Sequence, residues 1–179
     1  MVNWIGEEDW LKIQRWIPIV CVDILPIIAS DQHEVQKAGL ILRKTPHEGE
    51  KWCTVGGRLF YGEPIRQGVL RQLSETLGEE IQVNELGSQP LYVAQYAPSL
   101  EVQEGFDAID PRKHAIGLTY SVELTGEISP QNEALDFRYF TVQELVDKQD
   151  IGFEQKAVIL ACLERLNVNW GTKSHHKYF

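Results

Sequence analysis

GGRLFYGEPIRQGVLRQLSETLG, residues 56–78, is the stretch that decides the fold. Two glycines lead through a polar turn into a segment with helical periodicity. Pro64 suits the first helical turn and Gly78 the C-terminal cap. At about 100° per residue, Val69, Leu70, Leu73 and Leu77 share one face. Gly68, Arg71, Gln72 and Glu75 fall on the other, with Thr76 beside them. One face is built to pack and the other to present polar groups. Arg71 and Glu75 are four residues apart, so their side chains can meet. Gly56-Gly57 can take backbone angles closed to other residues, which lets carbonyls approach a ligand closely.

Working outward, Glu7–Arg15 carries Trp10, Ile13 and Trp16 at helical spacing and reads as a short N-terminal helix. Ile17–Ile28 is β-branched and strand-like, Ser30–His33 a turn, and Ala38–Arg43 a second strand. Thr45–Lys51 reads as a polar loop, and Trp52–Val55 as a short strand entering the glycine pair. Pro90–Ala97 and Ala115–Leu124 alternate as strands, joined by a long polar connection, Pro98–Lys113, at the edge of a ligand site. Phe137–Phe140 is a short strand. Thr141 and Glu144 form a capping box at the next helix start, and Phe153–Leu166 is a final amphipathic helix. Helices and strands interleave without a regular βα rhythm. The expected class is therefore α/β (α+β), a mixed central sheet between helices. Residues 1–166 are expected to form a single domain with its N-terminal helix, and 167–179 a loose tail. His175-His176 is a bare pair and is not read as a metal site.

Hydrophobic residues are 43% and charged residues 24% of the 179, enough apolar side chain for a sizeable core. No stretch approaches the ~20 apolar residues of a membrane span, and no signal-like leader is evident. Cys21, Cys53 and Cys162 are too scattered for a disulfide framework or a zinc site, and are expected as core thiols in a reducing cytoplasm. The net charge of -9 argues against a general nucleic-acid binder. An anionic small molecule would need local cations to be held.

The spacing Gly57, Glu63, Arg71, Glu75 and Gly78 resembles the Nudix box. That resemblance implies an α/β/α sandwich and a hydrolase that uses Mg²⁺ or Mn²⁺ to cleave a nucleoside diphosphate linked to another group. A bound metal neutralises the phosphates and activates water. The resemblance implies metal ligation by Glu75 and by the carbonyl of Gly56, and a role for Glu63 in tying the loop to the helix. Two positions that the box gives to Glu are Gln72 and Thr76 here; both are neutral and do not offset a metal's charge.

The chain is also similar to the GDP-mannose mannosyl hydrolase branch of that superfamily. Glu8-Asp9-Trp10 with Arg15, Pro18 and Asp23 matches its start, Leu42-Arg43-Lys44 and Trp52–Arg58 continue in register, and Asp136–Thr141 matches its late strand. This likeness implies a nucleotide-sugar substrate such as GDP-mannose, with Arg43, Arg58 and Arg71 around the diphosphate and Asp9 at the substrate. Guanidinium groups suit bidentate phosphate binding. It also implies Glu133 as a metal ligand, leaving Arg58, Arg71, Glu75 and Glu133 as the catalytic set. Ala134 stands where that branch has its catalytic His, and Val55 replaces a Pro before the glycines. The remaining candidates for a base are Glu133, Glu75 and His114. Two other readings stay open: a weakened, Nudix-fold nucleotide-sugar binding protein, and a pyrophosphatase acting on ADP-ribose-like substrates. Trp4, Trp10 and Trp16 crowd the N-terminus, and with the resemblance suggest a homodimer.

Overall fold

A computed structural model describes residues 5–99 and 104–167. Trp4 and the tail after 167 lie outside the described residues. The chain runs α1 (Glu7–Trp16), β1 (Ile19–Ala29), β2 (Val35–Thr45), β3 (Gly49–Cys53), β4 (Val55–Arg58), α2 (Ile65–Leu77), β5 (Gln82–Leu86), β6 (Tyr92–Ala97), β7 (Ala108–Ile109), β8 (Ala115–Thr125), β9 (Asp136–Thr141), α3 (Val142–Asp147) and α4 (Lys156–Asn167). The strands form one mixed sheet. Its main path is β3-β2-β1-β8-β6-β7, with β4 paired to β1, β5 to β8 and β9 to β2.

The central pair is parallel, β1 against β8 from Ile19↔Ala115 to Ile27↔Glu123. The other edge of β1 is shared. Its first half pairs antiparallel with β4, Asp23 opposite Gly56, and its end pairs with β2. β1 is buried from Cys21 through Ile27, so both faces of the sheet are covered there. α2 packs on β1 and β4, while α4 packs on β2 and β6. This is the expected mixed sheet between helices. Leu73, Leu77, Val69, Ile24, Leu40 and Ile159 are all but inaccessible and make the core. Among the described residues no helix is long and apolar enough to cross a membrane.

The elements correct several expectations. Thr45–Lys51 is not a free loop but the end of a hairpin. Thr45 Oγ1 donates to the Gly49 carbonyl at 2.9 Å and Gly49 turns at φ 74°, so β2 runs straight into β3. On α2, Leu70 is 38% exposed whereas Gly68 and Thr76 are buried. The reason is tertiary: Leu59 and Glu63 cover Gly68, and the segment at 129–131 bonds to the carbonyls of Leu77 and Thr76. Pro64 caps α2 rather than opening its first turn, and Gly78 at φ 100° ends it. The final helix does not begin at Phe153. Gly152–Glu154 is a 3₁₀ turn with Phe153 at φ 56°, and α4 starts at Lys156. The Phe153 N–H donates to the Glu48 carboxylate at 2.8 Å instead of joining a helix. β5 and β7 have no strong pattern in the sequence, being a polar edge strand and a two-residue strand. The capping box at Thr141 and Glu144 is formed on both sides.

Candidate functional site

The box folds into a tethered loop on a helix. Glu63 accepts two hydrogen bonds from the Arg71 guanidinium, at 2.7 and 2.8 Å, and one from the Phe60 N–H at 2.9 Å. Arg71 also donates to the Arg58 carbonyl at 3.1 Å and to Glu75 at 3.1 Å, and stacks 3.9 Å from the Phe60 ring centre. Its hydrogen bonds to Glu63 hold that carboxyl below its usual range and raise the guanidinium's own. Glu63 therefore ties loop to helix, and Arg71 is the post to which it is tied. The Arg58 guanidinium lies over Trp10 at 4.1 Å, which docks α1 on the box loop.

Gly56 is closed in by backbone and Gly57 by a side chain. A Cβ at Gly56 would strike the Val22 carbonyl, and one at Gly57 would meet the Gln72 side-chain amide nitrogen at 2.6 Å. Beside them lies a small cavity of about 70 Å³, lined by Asp23, Arg43, Thr54, Tyr96, Asp110, Arg112, Lys113, Phe153 and Gln155. A water needs roughly 10–15 Å³, so the space holds several waters or one compact oxyanion.

The two candidate ligand carboxylates are carried by different elements and pair with different arginines. Glu75 lies on the helix and is half exposed. Glu133 lies on a loop pinned to that helix: Gln131 donates to the carbonyls of Thr76 and Ser74, and Asn132 to that of Glu75. Glu133 pairs with Arg43 at 2.7 Å. Burial pushes the Glu133 carboxyl up, and Arg43, Arg112 and Lys113 draw it partly back. Among the described residues no cluster of three or more His, Cys, Asp or Glu stands ready for a metal. The donors present are two carboxylates and the Gly56 carbonyl, a set of hard oxygens that suits Mg²⁺ or Mn²⁺.

Arg43, Gly56 and Gly57 are thus brought to one cavity, with Glu133 paired to Arg43. Arg58 and Arg71 brace the box loop outside it. Asp9 is on the solvent face near Lys12 and is not brought to the cavity. Ala134 is buried. His114 turns away from the cavity toward an outer groove beneath α1 and stacks edge-on with Phe106. Trp16, in the same groove, is 78% exposed. The three cysteines are free and buried.

The sequence reading missed the cavity floor. Tyr96 donates to Asp23 at 3.0 Å, the Gln155 side-chain Nε2 donates to Tyr96 at 3.0 Å, and the Gln155 Oε1 accepts from the Thr54 N–H at 3.1 Å. Burial pushes the Asp23 carboxyl up to about 6, against the hydrogen bond from Tyr96. An acid inside the apolar run of β1 was the available signal. Arg112 and Lys113 were also missed, although the connection that carries them reads as a ligand-edge loop.

The mixed sheet between helices has the fold of solved Nudix hydrolases. The chain is similar to a possible asymmetric diadenosine tetraphosphate hydrolase from Jonesia denitrificans, at 26% identity over 85% of this chain and 96% of that one, with a TM-score of 0.71. It is similar in fold to a MutT Nudix hydrolase from Burkholderia pseudomallei, at 20% identity over 83% of this chain and 98% of that one, TM-score 0.58. It also resembles a bifunctional NMN adenylyltransferase/ADP-ribose pyrophosphatase from Francisella tularensis complexed with AMP and a manganese ion. There the identity is 20% over 89% of this chain and 45% of that one, TM-score 0.63. A search of curated proteins finds no match. Residues 1–163 match the family described as "Domain of unknown function (DUF4916)", and the chain belongs to that family.

Proposed function

We propose that this chain is a metal-dependent Nudix hydrolase that cleaves a nucleoside diphosphate linked to a second moiety. One observation carries the reading. The loop at 131–132 is bonded to the end of α2 that carries Glu75, and Glu133, next on that loop, pairs with Arg43, which lines the cavity beside Gly56 and Gly57. Glu75, Glu133 and the Gly56 carbonyl would hold Mg²⁺ or Mn²⁺, which when bound neutralises the phosphates and acidifies water. Arg43 would bind phosphate oxygens. Arg71 and Glu63 keep the glycine turn on the helix. A nucleotide sugar such as GDP-mannose is the first substrate class to try, on the sequence likeness to the mannosyl hydrolase branch. Diadenosine polyphosphate and ADP-ribose follow from what the solved relatives are named for. With Ala134 buried, no imidazole stands at that position to act as base. Water attack at phosphorus, releasing a nucleoside monophosphate and the phosphorylated partner, is therefore preferred to attack at the sugar carbon. A homodimer seated on the exposed Trp16 edge and a cytoplasmic setting for the free thiols complete the reading.

The test is a hydrolysis screen of these substrates with and without Mg²⁺ or Mn²⁺, resolving free sugar from sugar phosphate. Metal-dependent turnover that Glu75→Gln abolishes in a folded protein is expected. Full turnover in that variant sinks the assignment. A second reading, a binding protein with little catalysis, is favoured by one feature: Glu75 and Glu133 are both engaged by arginines. Ligand-induced thermal stabilisation without turnover across the screen would select it.

A further inference from the structure

The connection from β7 to β8 ends in a clasp that the box does not explain. Asp110 is only 6% exposed, yet it holds two cations. Arg112 donates to its two oxygens through Nε and Nη2, each at 2.8 Å, and Lys113 donates through Nζ at 2.8 Å. A loop clasp needs one partner for its carboxylate. The second cation is a charge that this interior must hold without a carboxylate of its own, since Lys113 is itself 12% exposed.

The surroundings sharpen the point. Arg112 and Arg43 lie against the same aromatic ring, 5.4 and 5.9 Å from the centre of Phe153. That ring is presented by a residue at φ 56°, a conformation that bulky side chains rarely adopt. Glu133 pairs with Arg43 and Asp110 with Arg112, so of the three cations gathered here one is in excess of the two carboxylates. Glu133 feels Arg43, Arg112 and Lys113 together, so all three act on one locality. Arg112 spends two of its donor nitrogens on Asp110, and the geometry leaves Nη1 and two ammonium protons of Lys113 to offer. Both residues line the small cavity beside Gly56 and Gly57. Both also line the groove of about 740 Å³ under α1, so they form the wall between the two spaces.

We infer that Arg112 and Lys113 bind the phosphates of a nucleoside diphosphate, with Arg43, and that Asp110 is the residue that positions them. The inference deepens the hydrolase reading and rests on it for the identity of the anion. It assigns the diphosphate to cations outside the box, in place of Arg58 and Arg71.

The test uses the full chain in EDTA, with inorganic pyrophosphate, ADP and adenosine as calorimetric probes. Wild type is expected to bind pyrophosphate and ADP but not adenosine alone. Arg112→Gln and Lys113→Gln should each weaken pyrophosphate about tenfold or more, the scale of one charge-assisted hydrogen bond. Asp110→Asn should weaken it while the two cations remain. Arg138→Gln, on an exposed pair with Glu144, should change nothing. Where turnover is measured, Arg112→Gln should raise KM about tenfold with kcat within about threefold. Unchanged pyrophosphate affinity in folded variants overturns the inference, as does wild type that binds no pyrophosphate. Loss of binding in the variants of a wild type that shows no turnover would retire the hydrolase reading and leave this one standing. Normal KM in Arg112→Gln and Lys113→Gln of an active enzyme does the reverse.

Discussion

Arg71→Ala separates a structural arginine from a substrate-binding one. In this fold Arg71 makes two short hydrogen bonds to Glu63, one to the Arg58 carbonyl and one to Glu75. The Glu75 contact is half exposed and adds almost nothing. The Glu63 contact is different: the side chains are 19% and 11% exposed. Removing one partner of a buried pair costs roughly 3–5 kcal/mol; discounted for residual solvent, this pair should cost about 2–3 kcal/mol. The stacking on Phe60 adds about 0.5–1 kcal/mol. The expected loss is about 3 kcal/mol, or a fall in Tm of roughly 6–12 °C for a domain of this size. Urea titration of wild type, Arg71→Ala, Glu63→Gln and the double variant should give a coupling of about 2 kcal/mol. The pH sign follows from Glu63. Its carboxyl is held below its ordinary 4.5, so the pair's contribution is present above that value and lost as pH falls below it. Arg71→Ala should therefore lose less stability in acid than wild type does. An Arg71→Ala protein with an unchanged Tm that no longer binds nucleotide would refute the reasoning, and would make Arg71 a phosphate ligand.

Three further outcomes follow from the same coordinates. Gly56→Ala should destabilise by about 2–3 kcal/mol, because its Cβ meets the Val22 backbone, whereas Gly57→Ala should cost under about 1 kcal/mol, because it only displaces the Gln72 amide; equal losses in chemical denaturation would contradict this. Burial pushes Asp110 up, but its bonds to Arg112 and Lys113 outweigh that and hold it at about 2, so its contribution is present above 3.8 and lost as pH falls through 2. Asp110→Asn should remove about 2 kcal/mol at neutral pH and flatten that acid limb. Because Glu133 is paired with Arg43, a diphosphate that engages Arg43 should free the carboxylate. ADP should then tighten Mg²⁺ binding by about 5- to 100-fold, and calorimetry showing independent binding would exclude the coupling.

What the sequence made legible was local. The box helix, its Gly78 cap and the Thr141 capping box depend on neighbours within a few residues, and each forms where its signal lies. β1 and β8 were readable from their apolar runs. Their parallel pairing was not, since it joins residues 96 positions apart, Ile19 with Ala115. The site divides the same way. Glu63, Arg71 and Glu75 share one helix-and-loop unit: periodicity puts Arg71 beside Glu75, and the resemblance to the box adds Glu63. Arg43, Arg112 and Phe153 meet only because β2, the β7–β8 connection and the turn before α4 converge. No spacing rule encodes that meeting. Leu70 shows the limit within a single helix. Periodicity gave it to the packed face, and the loop over Gly68 moved that face by one residue.

The two neutral box positions have separate physical reasons, and together they bear on how the site is charged. Gln72 lies against Gly57, where its amide fills the space a Cβ would take. Thr76 is 2% exposed, and its carbonyl receives the Gln131 N–H. A carboxylate at Thr76 would have to be buried beneath the very segment that presents Glu133. Under the proposed reading, the acid has moved from helix to loop. A loop acid paired with Arg43 is neutralised until something else takes the arginine. A helix acid facing only metal has no such requirement. On that reading, such a loop carboxylate would make metal and diphosphate binding depend on each other, through an ion pair of 2.7 Å and no moving domain.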